Sequence, residues 1–85
     1  MQDKKKKLQS ALAEIVKSHR LRNKKSINLA SNEVGISKSI WSDLEKGTKD
    51  PQFSTVWRVA ESLGVPLSSL VLELEKELKD LSFVE

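Results

Sequence analysis

The sequence predicts an all-α fold of five helices. The alternating β-branched runs and the Asn-Gly or Asp-Gly turns that mark β-hairpins are absent from its 85 residues. Apolar residues recur instead every three or four positions, which is the spacing of one helical face. Serine, glycine and proline interrupt this pattern where helices are expected to begin and end. A chain of this length forms one domain with a small core.

The first helix is predicted over roughly residues 4 to 21. We expect it to fray before Lys6, because chain termini are poorly held. Asn23 is expected to end the helix in the left-handed conformation, which asparagine tolerates better than most residues. The apolar face of this helix comprises Leu8, Leu12, Ile15, Val16 and His19.

Two short helices follow, and a glycine separates them. Ser26 is the predicted N-cap of the second helix, and Gly35 ends it. Ser37 is the predicted N-cap of the third helix, which runs to about Lys46 and ends at Gly47. The apolar residues of these two helices that are expected to face inward are Ile27, Ala30, Val34, Trp41 and Leu44.

Two more helices are predicted after a loop that contains Pro51. Ser54 or Thr55 is expected to cap the fourth helix, and Gly64 to end it. Ser68 is expected to cap the fifth, which extends to about Leu81. The fourth helix turns Val56, Val59, Ala60 and Leu63 inward, and Trp57 is assigned to the core as well, with stacking on nucleic-acid bases as the alternative. Phe53 is compatible with packing beneath the loop or with a dimer contact.

Charge is divided unevenly along the chain. The net charge is +3, but residues 1 to 49 carry 12 Lys or Arg against 5 Asp or Glu, and the remainder carries 3 against 7. The basic half suits a polyanionic partner, although ordinary solvated lysines explain the imbalance equally well. We expect a cytoplasmic protein, because neither a membrane-spanning run nor a signal peptide is recognisable.

Several chemistries have no support in the sequence. The chain has no cysteine and one histidine, so we expect no metal site, no disulfide and no cofactor. A catalytic triad and a phosphate-binding loop are also missing, since Lys46-Gly47-Thr48 lacks the glycine that must precede it. We therefore expect no enzymatic activity and no small-molecule effector.

The stretch from residue 26 to residue 47 is typical of two helices joined by a tight turn. A helix that enters the major groove of DNA must be short, firmly held and polar at its N-terminal end. Trp41 and Leu44 would anchor the third helix from inside. Its exposed side would carry Ser37, Lys38, Ser39, Ser42 and Asp43.

These residues resemble the lambda-repressor-like family of helix-turn-helix regulators, also known as the Cro/repressor or XRE type. The likeness covers roughly residues 8 to 72 and implies a domain of that extent. The matching residues are Arg20, Ser26, Gly35, Ile36, Ser37, Trp41, Ser42, Leu44, Glu45, Gly47, Pro51, Ala60, Leu63, Gly64 and Val65.

The resemblance implies which residues meet double-stranded DNA. Lys38, Ser39 and Asp43 occupy base-reading positions, and Ser42 lies on the same side. Lysine can donate to guanine, serine can contact several bases, and aspartate can accept from cytosine or act against wrong sequences. The expected phosphate contacts, which position the protein without reading sequence, are Ser26, Ser37, Thr48 and Lys49.

The same resemblance implies that Arg20 and Glu45 form a partly buried ion pair that links the first and third helices. The chain also departs from the family at three positions. Ile27 replaces a glutamine that contacts phosphate, Lys24 replaces a glycine in the turn, and Ser31 replaces a small residue that is usually alanine.

The C-terminal segment, residues 67 to 85, shows a heptad-like apolar pattern at Leu67, Val71, Leu74, Leu78 and Leu81. We favour a homodimer seam formed by the last four of these residues. The alternative is a helix that folds back on its own core. The lysine-rich residues 1 to 7 are expected to be a solvated tail, and an arm that reaches DNA is the alternative.

The sequence thus predicts a transcriptional regulator that binds a palindromic operator as a dimer, with the third helix in the major groove. A phage-type repressor, a restriction–modification controller and an antitoxin-like autoregulator all fit this description. The alternative from another class is a protein-interaction module whose leucine seam binds a partner helix.

Overall fold

The computed structural model describes residues 2–84, which form five α-helices and no strand. The all-α, five-helix prediction is therefore confirmed. The helices are α1 (Gln2–Arg22), α2 (Ile27–Glu33), α3 (Lys38–Lys46), α4 (Phe53–Ser62) and α5 (Leu67–Glu77).

The first helix is longer than predicted at its N-terminal end. It begins at Gln2, so the fraying expected before Lys6 is wrong for the described residues. Asp3 in the first turn interacts favourably with the helix dipole. The Lys5 ammonium lies 3.5 Å from the carboxylate of Asp50, in the loop before α4. The lysine run, Lys4 to Lys7, therefore forms part of α1.

The turn after α1 also differs in detail from the prediction. Lys24, and not Asn23, adopts the left-handed conformation, with a φ of 56°. Asn23 instead donates a hydrogen bond from its side chain to the carbonyl of Leu63, at 2.9 Å. This bond satisfies a carbonyl at the end of α4, where helix carbonyls lack partners within the helix.

Both serine N-caps of the central helices are confirmed. The Ser26 hydroxyl accepts a hydrogen bond from the amide of Leu29 at 3.0 Å. The Ser37 hydroxyl accepts one from the amide of Ile40 at 3.1 Å. The third helix ends at Gly47 as predicted, with a left-handed φ of 68°.

The predicted caps of the last two helices are wrong. The N-cap of α4 is Gln52, two to three residues before the expected Ser54 or Thr55, and its side chain makes no capping bond. The N-cap of α5 is Pro66 and not Ser68. Proline suits this place because its φ is already fixed near −65° and a cap residue needs no amide hydrogen.

The fifth helix is shorter than predicted. It ends at Glu77, and a turn follows in which the amide of Leu81 donates to the carbonyl of Leu78 at 2.8 Å. Leu70 is buried and Leu74 packs against the core. The predicted extension of the fifth helix to about Leu81 is therefore wrong, and Leu70 and Leu74 pack α5 against its own domain.

The core lies where α1, α3, α4 and α5 meet. Trp41, Val16 and Val59 are fully buried at its centre, and α1 packs against both α3 and α5. A hydrogen bond of 2.6 Å between the imidazole of His19 and the carboxylate of Glu73 also joins α1 to α5. His19, which the sequence placed on the apolar face of the first helix, is partly buried at this contact.

One assignment to the core is wrong. Trp57 is 52% exposed and Phe53 is 67% exposed. Their rings meet edge to face, with 6.2 Å between centroids. The helical pattern placed Trp57 one position after the inward-facing Val56, at the border of the apolar face. Tertiary packing leaves it on the solvent side of that border.

Candidate nucleic-acid interface

A tight turn at Gly35 connects α2 to α3. Gly35 has a φ of 69°, and the amide of Ile36 donates to the carbonyl of Ser31 at 3.1 Å. Glycine suits this conformation because it has no Cβ atom. The guanidinium of Arg58 on α4 donates to the carbonyls of Val34 and Gly35, both at 3.3 Å. Sequence reasoning did not single out Arg58, since a lone arginine on a predicted surface carries no distinctive signal.

The third helix has one buried and one solvent-facing side. Trp41 and Leu44 are buried, as predicted. Lys38 and Ser39 are exposed at the N-terminal end of the helix. Their side chains therefore stand on a helix that is anchored from beneath.

The other two predicted base-reading residues, Ser42 and Asp43, are only partly exposed. The Asp43 carboxylate lies 3.1 Å from the ammonium of Lys49. This pair offsets the negative charge of Asp43 beside a surface proposed to meet phosphate. It also holds Lys49, a predicted phosphate contact, against α3.

The predicted phosphate contacts fall into two kinds. Ser26 and Ser37 use their hydroxyl oxygens as helix caps, yet each hydroxyl hydrogen can still be donated to a second oxygen. Thr48 and Lys49 are exposed in the loop after α3. All four lie at the start of α2 or at the two ends of α3, so they flank the exposed residues of α3.

The predicted contact between Arg20 and Glu45 is present. Arg20 donates from Nε to Oε2 of Glu45 at 2.6 Å and from Nη2 to Oε1 at 2.9 Å. The indole nitrogen of Trp41 donates to the same carboxylate at 2.6 Å. The hydrogen bonding to Glu45 raises the pKa of Arg20 above its ordinary value. A charge-assisted, two-point pair of this kind fixes the angle between α1 and α3.

A second polar cluster, which the sequence did not reveal, holds α2 in place. The Lys25 ammonium lies 2.7 Å from the carboxylate of Glu33 and 2.7 Å from the carbonyl of Ser62. The Ser62 hydroxyl is 2.8 Å from the carbonyl of Ala30. Hydrogen bonding to Lys25 is the main reason that the pKa of Glu33 lies below its ordinary value of 4.5. These residues are far apart in sequence, so no spacing rule connects them.

The three departures from the family pattern have structural explanations. Ile27 packs against the core cluster, so its side chain contributes apolar contact where a glutamine would offer hydrogen bonds. Lys24 holds the left-handed conformation that makes glycine common at that position. Ser31 is fully buried, and its hydroxyl is 3.2 Å from the carbonyl of Asn28. An alanine-sized site therefore accommodates it.

Within residues 2–84, no helix is long and apolar enough to cross a membrane. The same part of the chain brings together no group of three or more potential metal-binding side chains.

The chain is similar to known helix-turn-helix proteins. A model of the HTH_3 helix-turn-helix family matches residues 16–70. The cryptic phage CTXphi transcriptional repressor RstR of Vibrio cholerae is 34% identical over 50 residues, which are 59% of this chain and 45% of that protein. The match thus spans less than half the length of that relative.

Two solved structures share the fold. The clp gene regulator ClgR from C. glutamicum superposes with a TM-score of 0.74 at 21% identity, over 84% of this chain and 92% of that one. An HTH_3 family transcriptional regulator from Vibrio cholerae superposes with a TM-score of 0.77 at 22% identity, over 89% of this chain and 43% of that one. The fold is therefore lambda-repressor-like, and the chain belongs to the XRE-type (HTH_3) helix-turn-helix family of transcriptional regulators.

Proposed function

We propose that this protein binds a specific operator in double-stranded DNA as a homodimer, with α3 in the major groove and α2 across the backbone. The presentation of Lys38 and Ser39 at the N-terminal end of α3 carries this proposal. Both side chains are exposed, while buried Trp41 and the ion pair of Glu45 hold the helix beneath them. Such a helix can present side chains to base edges without bending or rotating.

Base reading is assigned first to Lys38 and Ser39. A lysine ammonium can donate to O6 and N7 of guanine, and a serine hydroxyl can donate or accept. Asp43 and Ser42, the other two predicted base-reading residues, are less exposed than Lys38 and Ser39. The ion pair of Asp43 with Lys49 supports a role in excluding wrong sequences, because breaking that pair to accept from a base would cost its attraction to lysine.

Phosphate binding is assigned to Ser26, Ser37, Thr48 and Lys49. Amides at helix N-termini favour anions, and the two capping serines stand at such ends. Lysine adds charge but no base discrimination. Together these groups would fix the register of α3 in the groove.

The dimer is assigned to a surface centred on Phe53, Trp57 and Val71. All three are exposed, and Phe53 and Val71 line one apolar groove between α1, α4 and α5. Clustered exposed aromatic residues are typical of the centre of protein interfaces. Val71 is therefore the one residue of the predicted dimer seam that lies at the centre of this surface. Leu74 packs inward and Leu78 and Leu81 lie beyond α5, so they would contribute at the margin.

Repression by occupancy of the operator is the favoured mode of action. The relative RstR is described as a transcriptional repressor. A repressor needs only to bind where another protein must bind, and the exposed side of α3 would provide the binding surface. A phage-type repressor is accordingly favoured over a restriction–modification controller or an antitoxin.

Selection of bound sites from random duplexes tests the proposal. We expect one enriched sequence with two inverted half-sites about one helical turn apart. Replacement of Lys38 by alanine should weaken binding to that sequence by about 1–3 kcal/mol and relax one base position in each half-site. Replacement of Lys17, which is exposed on α1, serves as the matched control. Failure to enrich any sequence would overturn sequence-specific binding.

Salt and oligomeric state separate this function from a protein-interaction module. If the protein binds phosphates, the logarithm of its binding constant should fall linearly with the logarithm of the salt concentration. The slope should be about −0.9 for each phosphate neutralised. Phe53→Ser should shift the protein toward the monomer in sedimentation experiments and weaken operator binding. Leu21→Ser, at an exposed leucine on α1, should do neither. A Phe53 variant with unchanged sedimentation would refute the dimer surface, and binding that ignores salt would favour the interaction module.

A further inference from the structure

An isoleucine stands among the polar residues that α3 exposes. Ile40 is 46% exposed, although it is the third residue of a helix whose neighbouring outward positions carry Lys38 and Ser39. The core cluster does not include it, even among the partly buried side chains that pack against the core. Its role as a stabilising apolar residue is therefore limited, and a large part of its side chain is free for contact.

The position of Ile40 around the helix is informative. Successive residues of an α-helix are rotated by about 100°, since 3.6 residues complete a turn. Ser39 therefore lies at the centre of the exposed N-terminal face, with Lys38 on one side and Ile40 on the other. Lys38 and Ile40 are therefore about 200° apart, and the two edges of the exposed side carry opposite chemistries, one cationic and one aliphatic.

Both polar and apolar residues surround Ile40. It borders a shallow depression together with Gln52 and Thr55 at the start of α4, and a second one together with Asp43 and Lys49. The other apolar side chains that line these depressions are Ile36, Leu44 and Pro51, and Ile40 itself is 46% exposed. An apolar group held on such a surface gains free energy when a partner removes it from water.

We propose that Ile40 is a specificity-determining residue that recognises thymine through its C5-methyl group. This inference rests on the proposed binding of α3 in the major groove. Thymine alone among the four bases of DNA presents a methyl group there, and aliphatic side chains read it by apolar contact. Lys38 and Ile40 then select different bases from the two edges of the exposed side of α3, with Ser39 between them.

The sharpest test changes one methyl group of the DNA and leaves the protein intact. In a duplex that carries the selected operator, each thymine of one half-site is replaced in turn by deoxyuridine, which lacks only the methyl group. One replacement should raise the dissociation constant of the unmodified protein about fourfold, the equivalent of ~0.8 kcal/mol for one buried methyl group. That thymine should also be enriched in the selected sites.

A variant of the protein identifies the residue responsible. Ile40→Ser should bind the thymine and deoxyuridine duplexes equally, because the side chain that contacts the methyl group is gone. Leu29→Ser, at a similarly exposed leucine on α2, should keep the fourfold difference. Urea unfolding of both variants shows whether each remains folded, and the measurements on the unmodified protein stand whether or not the variants fold.

The outcomes separate this inference from the function on which it rests. If the protein selects an operator but tolerates deoxyuridine everywhere, the role of Ile40 is overturned and the proposed function stands. A methyl effect that persists in Ile40→Ser also overturns the role, because another residue then reads the thymine. If no duplex is selected at all, both proposals fall.

Discussion

The guanidinium of Arg20 and the carboxylate of Glu45 meet through two hydrogen bonds, of 2.6 Å and 2.9 Å, although 25 residues separate them. Only 11% of the Arg20 side chain and 6% of the Glu45 side chain are exposed. The pair therefore lies largely out of water, between the helix that supports the domain and the helix proposed to read DNA.

Replacement of Glu45 by alanine should destabilise the protein strongly. It leaves the Arg20 guanidinium without its carboxylate and the Trp41 indole without its acceptor. Loss of one partner from a buried ion pair lowers the free energy of unfolding by about 3–5 kcal/mol. Urea unfolding measures the change, and the exposed Glu61→Ala variant should stay within about 0.5 kcal/mol of the parent. If Glu45→Ala lost no more free energy of unfolding than the control, the structural role of the ion pair would be contradicted.

Two glycines with the same backbone conformation should differ in their tolerance of alanine. Gly64 has a φ of 73° and open space where a Cβ atom would lie, so Gly64→Ala should cost only the left-handed conformation, about 1–2 kcal/mol. In Gly47→Ala the new Cβ would also lie 3.3 Å from the backbone oxygen of Gln9 and 3.4 Å from Cα of Ser10. Thermal unfolding should rank Gly47→Ala as clearly less stable, and equal melting temperatures would refute the close approach of α1 to this turn.

Stability should depend on pH through Glu33. Its pKa in the folded state lies below the ordinary value of 4.5, mainly because its carboxylate accepts a hydrogen bond from Lys25. The unfolded state therefore takes up a proton first as the pH falls. The stabilisation that the contact between Glu33 and Lys25 provides is complete above the ordinary pKa of Glu33. It is lost as the pH falls through the lowered pKa of Glu33 in the folded state.

Glu33→Gln should accordingly flatten the acid side of the stability profile, measured as the urea midpoint between pH 3 and pH 7. Its midpoint at neutral pH should fall below that of the parent, and the two should converge in acid. The exposed Glu14→Gln variant on α1 is the control and should follow the parent throughout. Parallel profiles for Glu33→Gln and the parent would show that the contact with Lys25 is absent in solution.

Two substitutions of Ser37 should separate its capping role from its proposed phosphate contact. Ser37→Ala removes the acceptor for the amide of Ile40 and should lower stability by about 1 kcal/mol. Ser37→Asp keeps a capping oxygen and places a negative charge at a helix N-terminus, so stability should be retained. The same charge would repel phosphate, and operator binding measured by fluorescence anisotropy should weaken in Ser37→Asp. Undiminished binding by that variant would remove Ser37 from the phosphate contacts.

The sequence predicted those features that depend on residues close together in the chain. Ser26 and Ser37 cap their helices because a hydroxyl reaches an amide three residues ahead. Gly47 ends α3 because a left-handed residue is needed there. Trp41 and Leu44 are buried because they share one face of a short helix. Each of these relations spans at most one turn of helix, so local pattern was sufficient.

Local pattern was misleading where several residues offered the same chemistry. Ser54, Thr55 and Ser68 are all good capping residues, but α4 and α5 begin earlier, at Gln52 and Pro66. Capping hydroxyls stabilise a helix start by only about 1 kcal/mol. Burial of Val59 and Leu70 stabilises each helix as a whole, so a contribution of that size does not by itself fix the residue at which the helix begins.

The sequence by itself determined the five helices, the turn at Gly35 and the exposure of Lys38 and Ser39. The resemblance to a known family added the pairing of Arg20 with Glu45. Only the tertiary structure decided that Leu70 and Leu74 face inward, that Trp57 is exposed, and that Lys25, Glu33 and Ser62 form one cluster. The physical reason is that helical periodicity defines which residues share a face, whereas only the packing of helices against one another determines which face meets water.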